Sequence, residues 1–209
     1  MALSFPLSVP DYNDIQQMQI ETFNAVSRSA SPYTLSHQTQ ENSGVVRIFR
    51  FQLRPMFKED ANTWIAWLES LRGGSKTLLI GDPHNRSPQG SASTSPGTPL
   101  VAGASQTGAE LDIDGCPANA TGYLLAGDWI QLGSGVDARL YRVTATVSTN
   151  GSGAATVDIF PDLRTSPADN SAVTVSSTEG CFRLVEPRVA VSVGVHHVHD
   201  IEFQVIESL

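Results

Sequence analysis

The sequence predicts a mainly β fold: a β-sandwich carrying one α-helix, with a small β-barrel-like domain inserted into it. Three observations lead there. Residues 45–54 and two runs near the C-terminus alternate apolar and polar side chains with the period of a half-buried strand. One stretch, at 58–72, has helical periodicity instead. Between these parts lies a Pro/Ser/Gly-rich segment followed by short strands with turn signals between them, the pattern of a small barrel or meander.

Taken along the chain, the first 45 residues are poor in periodicity and rich in Gln, Asn, Ser and Thr, which suits an arm that orders on assembly. In the first predicted strand Val45, Phe49, Phe51 and Leu53 share a face opposite Arg50, Gln52 and Arg54, and Arg47 is the polar exception on the apolar side. On a helical wheel Phe57, Ala61, Trp64, Leu68 and Leu71 form one stripe, flanked by Ile65 and Trp67. Glu59 and Asp60 suit the positive end of that helix, Arg72 the negative end, and Gly73-Gly74 can make the left-handed turn that stops it. A strand is expected at 76–81. Residues 83–108 contain several prolines and few large apolar side chains, so they read as a linker or an extended edge. Strands follow at Trp129–Leu132, around Tyr141–Val147 and at Ala155–Ile159, separated by Gly133-Ser134-Gly135 and Asn150-Gly151-Ser152-Gly153. Val189, Val191 and Val193, then Ile201, Phe203 and Val205, mark a hairpin turning near Gly194–His197. The expected organisation is a discontinuous domain, 1–82 plus 180–209, interrupted by a linker and inserted barrel at 83–179.

Composition narrows the function. A chain of 209 residues buries roughly 70% of its unfolded surface, enough for a core without metal or disulfide staples. Charged residues make up 16%, and the net charge is −8 with no Lys/Arg run, which argues against phosphate neutralisation and hence DNA binding as the main activity. Cys116 and Cys181 lack a CxxC spacing and read as two buried thiols rather than a zinc site or disulfide framework. Met1–Phe5 lacks the basic-then-apolar pattern of a secretory leader, and no run reaches about 18 apolar residues, so cytoplasmic synthesis is expected.

Few residues suggest chemistry. His196-His197-Val198-His199-Asp200 is the strongest metal candidate, because His197 and His199 would project from one side of a continuous strand; two ligands leave the usual four positions unfilled, so a turn with partly buried histidines is the competing reading. Gly73-Gly74-Ser75-Lys76-Thr77 lacks the first glycine of a phosphate loop and runs from helix into strand, the reverse of what phosphate binding needs. Neither GxSxG nor HExxH occurs. Asp112-Ile113-Asp114 has no calcium-loop glycine and glutamate after it and reads as solvated strand carboxylates. Trp129 is either core or an aromatic anchor for a partner or sugar.

Several segments in order carry a family resemblance: Ser31-Pro32-Tyr33-Thr34, Leu71-Arg72-Gly73, Leu78-Leu79-Ile80-Gly81-Asp82-Pro83, Ala126-Gly127-Asp128-Trp129-Ile130-Gln131-Leu132-Gly133, Arg139-Leu140-Tyr141-Arg142-Val143, Leu163-Arg164-Thr165-Ser166-Pro167 and Gly180-Cys181-Phe182-Arg183-Leu184. With these the chain resembles small minor tail proteins of long, non-contractile-tailed bacteriophages, the distal tail proteins at the junction of tube and tip. The resemblance implies a virion protein without enzymatic activity or cofactor, forming a homo-oligomeric, usually hexameric ring whose partners are the tail tube protein and the tip or hub proteins. It implies neither specific nucleic-acid binding nor membrane insertion. An acidic chain around the genome's exit path would let DNA slide without sticking. The alternative from another class is a carbohydrate-binding or host-adhesion module that reads its ligand through the inserted barrel.

Overall fold

The computed structural model of the chain describes residues 3–194 and 197–209. Those residues hold one α-helix and two sheets. In chain order, β1 (Leu7–Ser8), β2 (Ile15–Ala30), β3 (His37–Leu53), α1 (Lys58–Ser70) and β4 (Thr77–Ile80) begin the first unit. Then β5 (Leu100–Val101), β6 (Glu110–Asp114), β7 (Trp129–Leu132), β8 (Arg139–Val143), β9 (Ala155–Phe160) and β10 (Val173–Thr174) form the second sheet. The chain returns to the first sheet with β11 (Gly180–Leu184), β12 (Val191–Val193) and β13 (His199–Glu207). The predicted class, mainly β with one helix and an inserted barrel, is what the fold contains.

The first sheet has the order β1-β4-β11-β13-β3-β2, with β12 also on β13. Its inner face carries Phe49, Phe51, Leu53, Phe182, Ile201, Phe203 and Val205, all buried. Alternation explains which residues these are, because β3 and β13 pair Phe51 with Phe203 and Phe49 with Val205 across one face. Helix α1 covers one end of that face with Ala61, Trp64 and Leu68, and its C-cap Leu71 is buried beside them; Trp64 and Trp67 pack on Phe203 at 6.0 and 5.8 Å between ring centroids. Each large side chain buried this way contributes roughly 2 kcal/mol. Phe57 departs from the predicted stripe: it is the N-cap residue, in extended conformation and 70% exposed, and Met56 is buried in its place beside β13. The helix stops as predicted, with a left-handed run that starts one residue earlier, at Arg72, and continues through Gly73 and Gly74. A Cβ on Gly74 would press on the Leu184 carbonyl, so the turn and the close approach both need glycine there.

Asp14 ties the base of the first unit together. It is buried, and its carboxylate accepts from the Trp64 indole N–H at 2.7 Å and from Arg54 Nε at 2.8 Å. Such charge-assisted bonds hold the helix, β2 and β3 at one point.

The second sheet runs β10-β7-β8-β9-β6-β5 and nearly closes, because Leu100 bridges Ala172 and the Val101 N–H donates to Ser171 O at 2.9 Å. Its interior holds Leu111, Ile113, Ile130, Leu132, Tyr141, Val143, Val157 and Ile159. Of the two readings of 83–108, a linker or an extended edge, the second fits: β5 is the edge strand of this sheet, and the rest of the stretch packs on the barrel. Ala92 and Val101 are in the barrel core, and Pro96 O accepts from the Tyr123 hydroxyl at 2.6 Å, so a segment poor in apolar residues is laced to the barrel by a few small ones and by backbone bonds.

The N-terminal region also corrects its prediction. Residues without visible periodicity form the 16-residue β2 and the first half of the 17-residue β3, paired as a hairpin within one chain.

Candidate assembly surface and the seam behind it

Strands β2 and β3 begin as ordinary members of the first sheet and leave it as a free two-stranded arm. Pairing holds from Ile15 with Leu53 to Ala30 with His37, with an irregularity between Asn24 and Val26 where β3 carries extra residues. Beyond it, Val26 to Ala30 and His37 to Asn42 are exposed whichever face they lie on. The turn closes with Ser31 and Ser36 hydrogen-bonded at 2.9 Å and places Leu35 at φ +55, a conformation costly for a large side chain. Tyr33 is 95% and Leu35 75% exposed, and Phe23 lies exposed further down the arm. From Phe23 to Gly44 the only charged residues are Arg28 and Glu41, so the arm is polar but almost uncharged. Its length and exposure were not visible in the sequence; the signal available was the Gln/Ser/Thr-rich composition itself.

Behind the arm, the first sheet and the barrel meet in a buried seam built around Arg47 and Trp129. Arg47 lies on the apolar face of β3 and stays there, 2% exposed, because its guanidinium reaches across to the Leu140 and Phe160 carbonyls of the barrel. Burial pushes it down to about 10 from the usual 12.5, opposed by the nearby Glu207 carboxylate, so it remains charged at neutral pH. The rim of the seam holds an ion pair, Arg164 with Glu207 at 2.8 Å. Trp129 sits between Arg47, 5.0 Å from its ring centroid, and Arg142, at 4.6 Å, with Phe49 against its edge and its indole N–H donating to Asp82 at 3.2 Å.

Trp129 is therefore not an exposed partner-binding or sugar-binding anchor; it is 3% exposed. Trp129 and Leu132 lie on opposite faces of β7 and are both buried, since one face lines the barrel and the other lies against the first sheet. The crossovers are clamped too. Tyr12 O–H donates to Glu179 at 2.9 Å and accepts from the Gly81 N–H at 3.0 Å, while Arg86 stacks over the Tyr12 ring at 3.8 Å. A Cβ on Gly81 would overlap the Thr178 carbonyl, which places the outgoing and returning strands in direct backbone contact. Burial first and Glu179 second raise the Tyr12 phenol well above its ordinary value.

The histidine pair does not have the geometry a metal would need. His197 is exposed and adopts φ +60 in the turn, so it is not two places along a continuous strand from His199. His199 begins β13 opposite Val193, half-buried, with Nδ1 unpartnered. His196 lies outside the described residues. No group of three or more His, Cys, Asp or Glu side chains placed to hold a metal occurs among the described residues. Asp112 accepts from the Thr156 hydroxyl at 2.6 Å on the barrel exterior. Asp128, fully buried, accepts from the Gln89 and Leu125 backbone N–H groups and fixes the loop before β7. Cys116 and Cys181 are free and buried, and burial pushes both thiols up.

No helix among the described residues is long and apolar enough to cross a membrane. The chain matches no protein-family model and no curated protein.

Proposed function

We propose that this chain is a structural virion protein: a distal tail protein whose copies close into a ring joining the phage tail tube to the tail tip or baseplate. The observation that carries the reading is the β2–β3 arm, a long hairpin with both faces and an apolar tip in solvent. An isolated two-stranded hairpin is marginal in water, and exposed strand edges invite pairing with another chain, so such an arm is a feature of a protein that assembles. The first sheet also ends in two unlike edges, β2 and β1, and a ring needs two different surfaces meeting head to tail. A rigid seam fits the same role, since a joint that bears load between tube and tip must hold its barrel in a fixed place. The near-neutral arm and the overall charge of −8 suit a channel through which DNA slides.

Light scattering on the purified chain, with negative-stain images of the same peak, tests the proposal. Six copies of the 22.3 kDa chain give a closed particle of about 134 kDa. A particle of that mass with a central hole supports the reading. A monomer at the highest attainable concentration, unaltered by added tube or tip protein, rejects it.

A further inference from the structure

We infer that the tip of the arm docks into a groove on the outward face of the first sheet of a neighbouring copy, which rests on the ring reading above and names its contact. The groove has a volume of about 530 Å³, within the range of binding pockets. It exists because β13 pairs with β11 at one end and β12 at the other, leaving a gap between them where the connecting segment at 185–190 bows away. Within that gap Val189 and Ala190 present the accessible apolar floor over the buried Leu68, Leu184 and Phe203, and Arg50, Asp200 and Glu202 stand on the rim.

Both sides have unfinished business of matching kinds. Tyr33 and Leu35 are exposed apolar groups, and Leu35 is held outward by a backbone conformation that costs energy in the free chain. Arg28, behind the tip, has no ion-pair partner among the described residues. In the groove Arg50 is already paired with Glu21 at 2.8 Å and Arg188 with Glu186 at 2.9 Å, which leaves the Asp200 and Glu202 carboxylates without one. The complementarity is thus apolar tip to apolar floor and Arg28 to the two carboxylates. The arm cannot satisfy its own groove. Gln19 of β2 already lines the groove, and the strand runs on from there for on the order of 35 Å to the tip, paired with β3 on both sides of the irregularity after Asn24. The occupant is a second copy.

Disulfide trapping between mixed full-length chains tests this contact. One chain carries Leu35→Cys and the other Ser192→Cys, at the groove wall; both positions are exposed, and the native thiols are buried. Mild oxidation should give a heterodimer on mixing that exceeds the product with a control chain carrying Ser152→Cys on the barrel. Arg28→Glu should reduce trapping about tenfold, and Glu202→Arg in the partner should restore it. Oligomers by light scattering without trapping above the control overturn the groove and leave the ring reading standing. Absence of any oligomer, with or without added tube or tip protein, overturns both.

Discussion

The two halves of the β2–β3 hairpin are continuous in sequence and hydrogen bonding but opposite in environment. Near its base the hairpin carries Phe49, Phe51, Leu53 and the buried Arg47, locked between helix and barrel; beyond Asn24 both of its faces lie in solvent. The difference teaches how a strand acquires meaning. Where one face is covered, a side chain's parity fixes its fate, and even an arginine is held in the core by two carbonyl acceptors. Where neither face is covered, parity has nothing to select, and the residues are largely polar on both faces.

The largest effect is expected at the base. Arg47→Ala leaves the Leu140 and Phe160 carbonyls without their donor and opens a cavity, which should cost about 3 kcal/mol in urea unfolding. Arg47→Met, which fills much of the space without the charge, should cost about 1 kcal/mol. Equal losses for the two variants would mean that the charge, not the packing, holds the seam.

High pH should act next, on the barrel core and the crossover clamp. Tyr12, Tyr123 and Tyr141 are all raised above the ordinary value of 10, chiefly by burial. Groups raised in the folded state contribute stability that is intact below pH 10, and it is lost as pH rises further because the unfolded chain releases protons that the native one keeps. Unfolding free energy should therefore fall above pH 10, and the absorbance change of these phenols should coincide with loss of tertiary signal. Their titration in the intact fold would contradict the packing described.

The smallest effect on stability is expected in the arm. Tyr33→Ser and Leu35→Ser should each change unfolding free energy by no more than about 0.5 kcal/mol, since neither side chain is buried in the free chain. A loss comparable to that of Arg47→Ala would mean that the tip folds back on its own body.

How much of this was legible follows from the same contrast. The helix and β13 were readable because each buries one face, leaving a period in the sequence, while the helix stop at Gly73-Gly74 and the short apolar run of β7 were marked by residue type and turn signals. Phe57 was misplaced because a helical wheel does not say where the first turn begins; the chain is still extended there, and Met56 takes the buried position. Trp129 and the paired histidines depended on information a single strand lacks. Trp129 meets a sheet built from residues far away in sequence, and His197 turns where a strand had been assumed. The arm was recognised by composition, but not as a hairpin, because a strand exposed on both faces has no hydrophobic period.

The most direct test of the central claim, that the distal arm exists for assembly and not for folding, is to replace residues 25–44 with Asn-Gly, a two-residue turn that closes the hairpin at Asn24 and Val45. Mass and urea stability would be measured side by side with the full-length chain. Unfolding free energy should stay within about 1 kcal/mol of the parent, and the proposed particle of about 134 kDa should give way to a monomer. A shortened chain that still forms the full ring would contradict the claim.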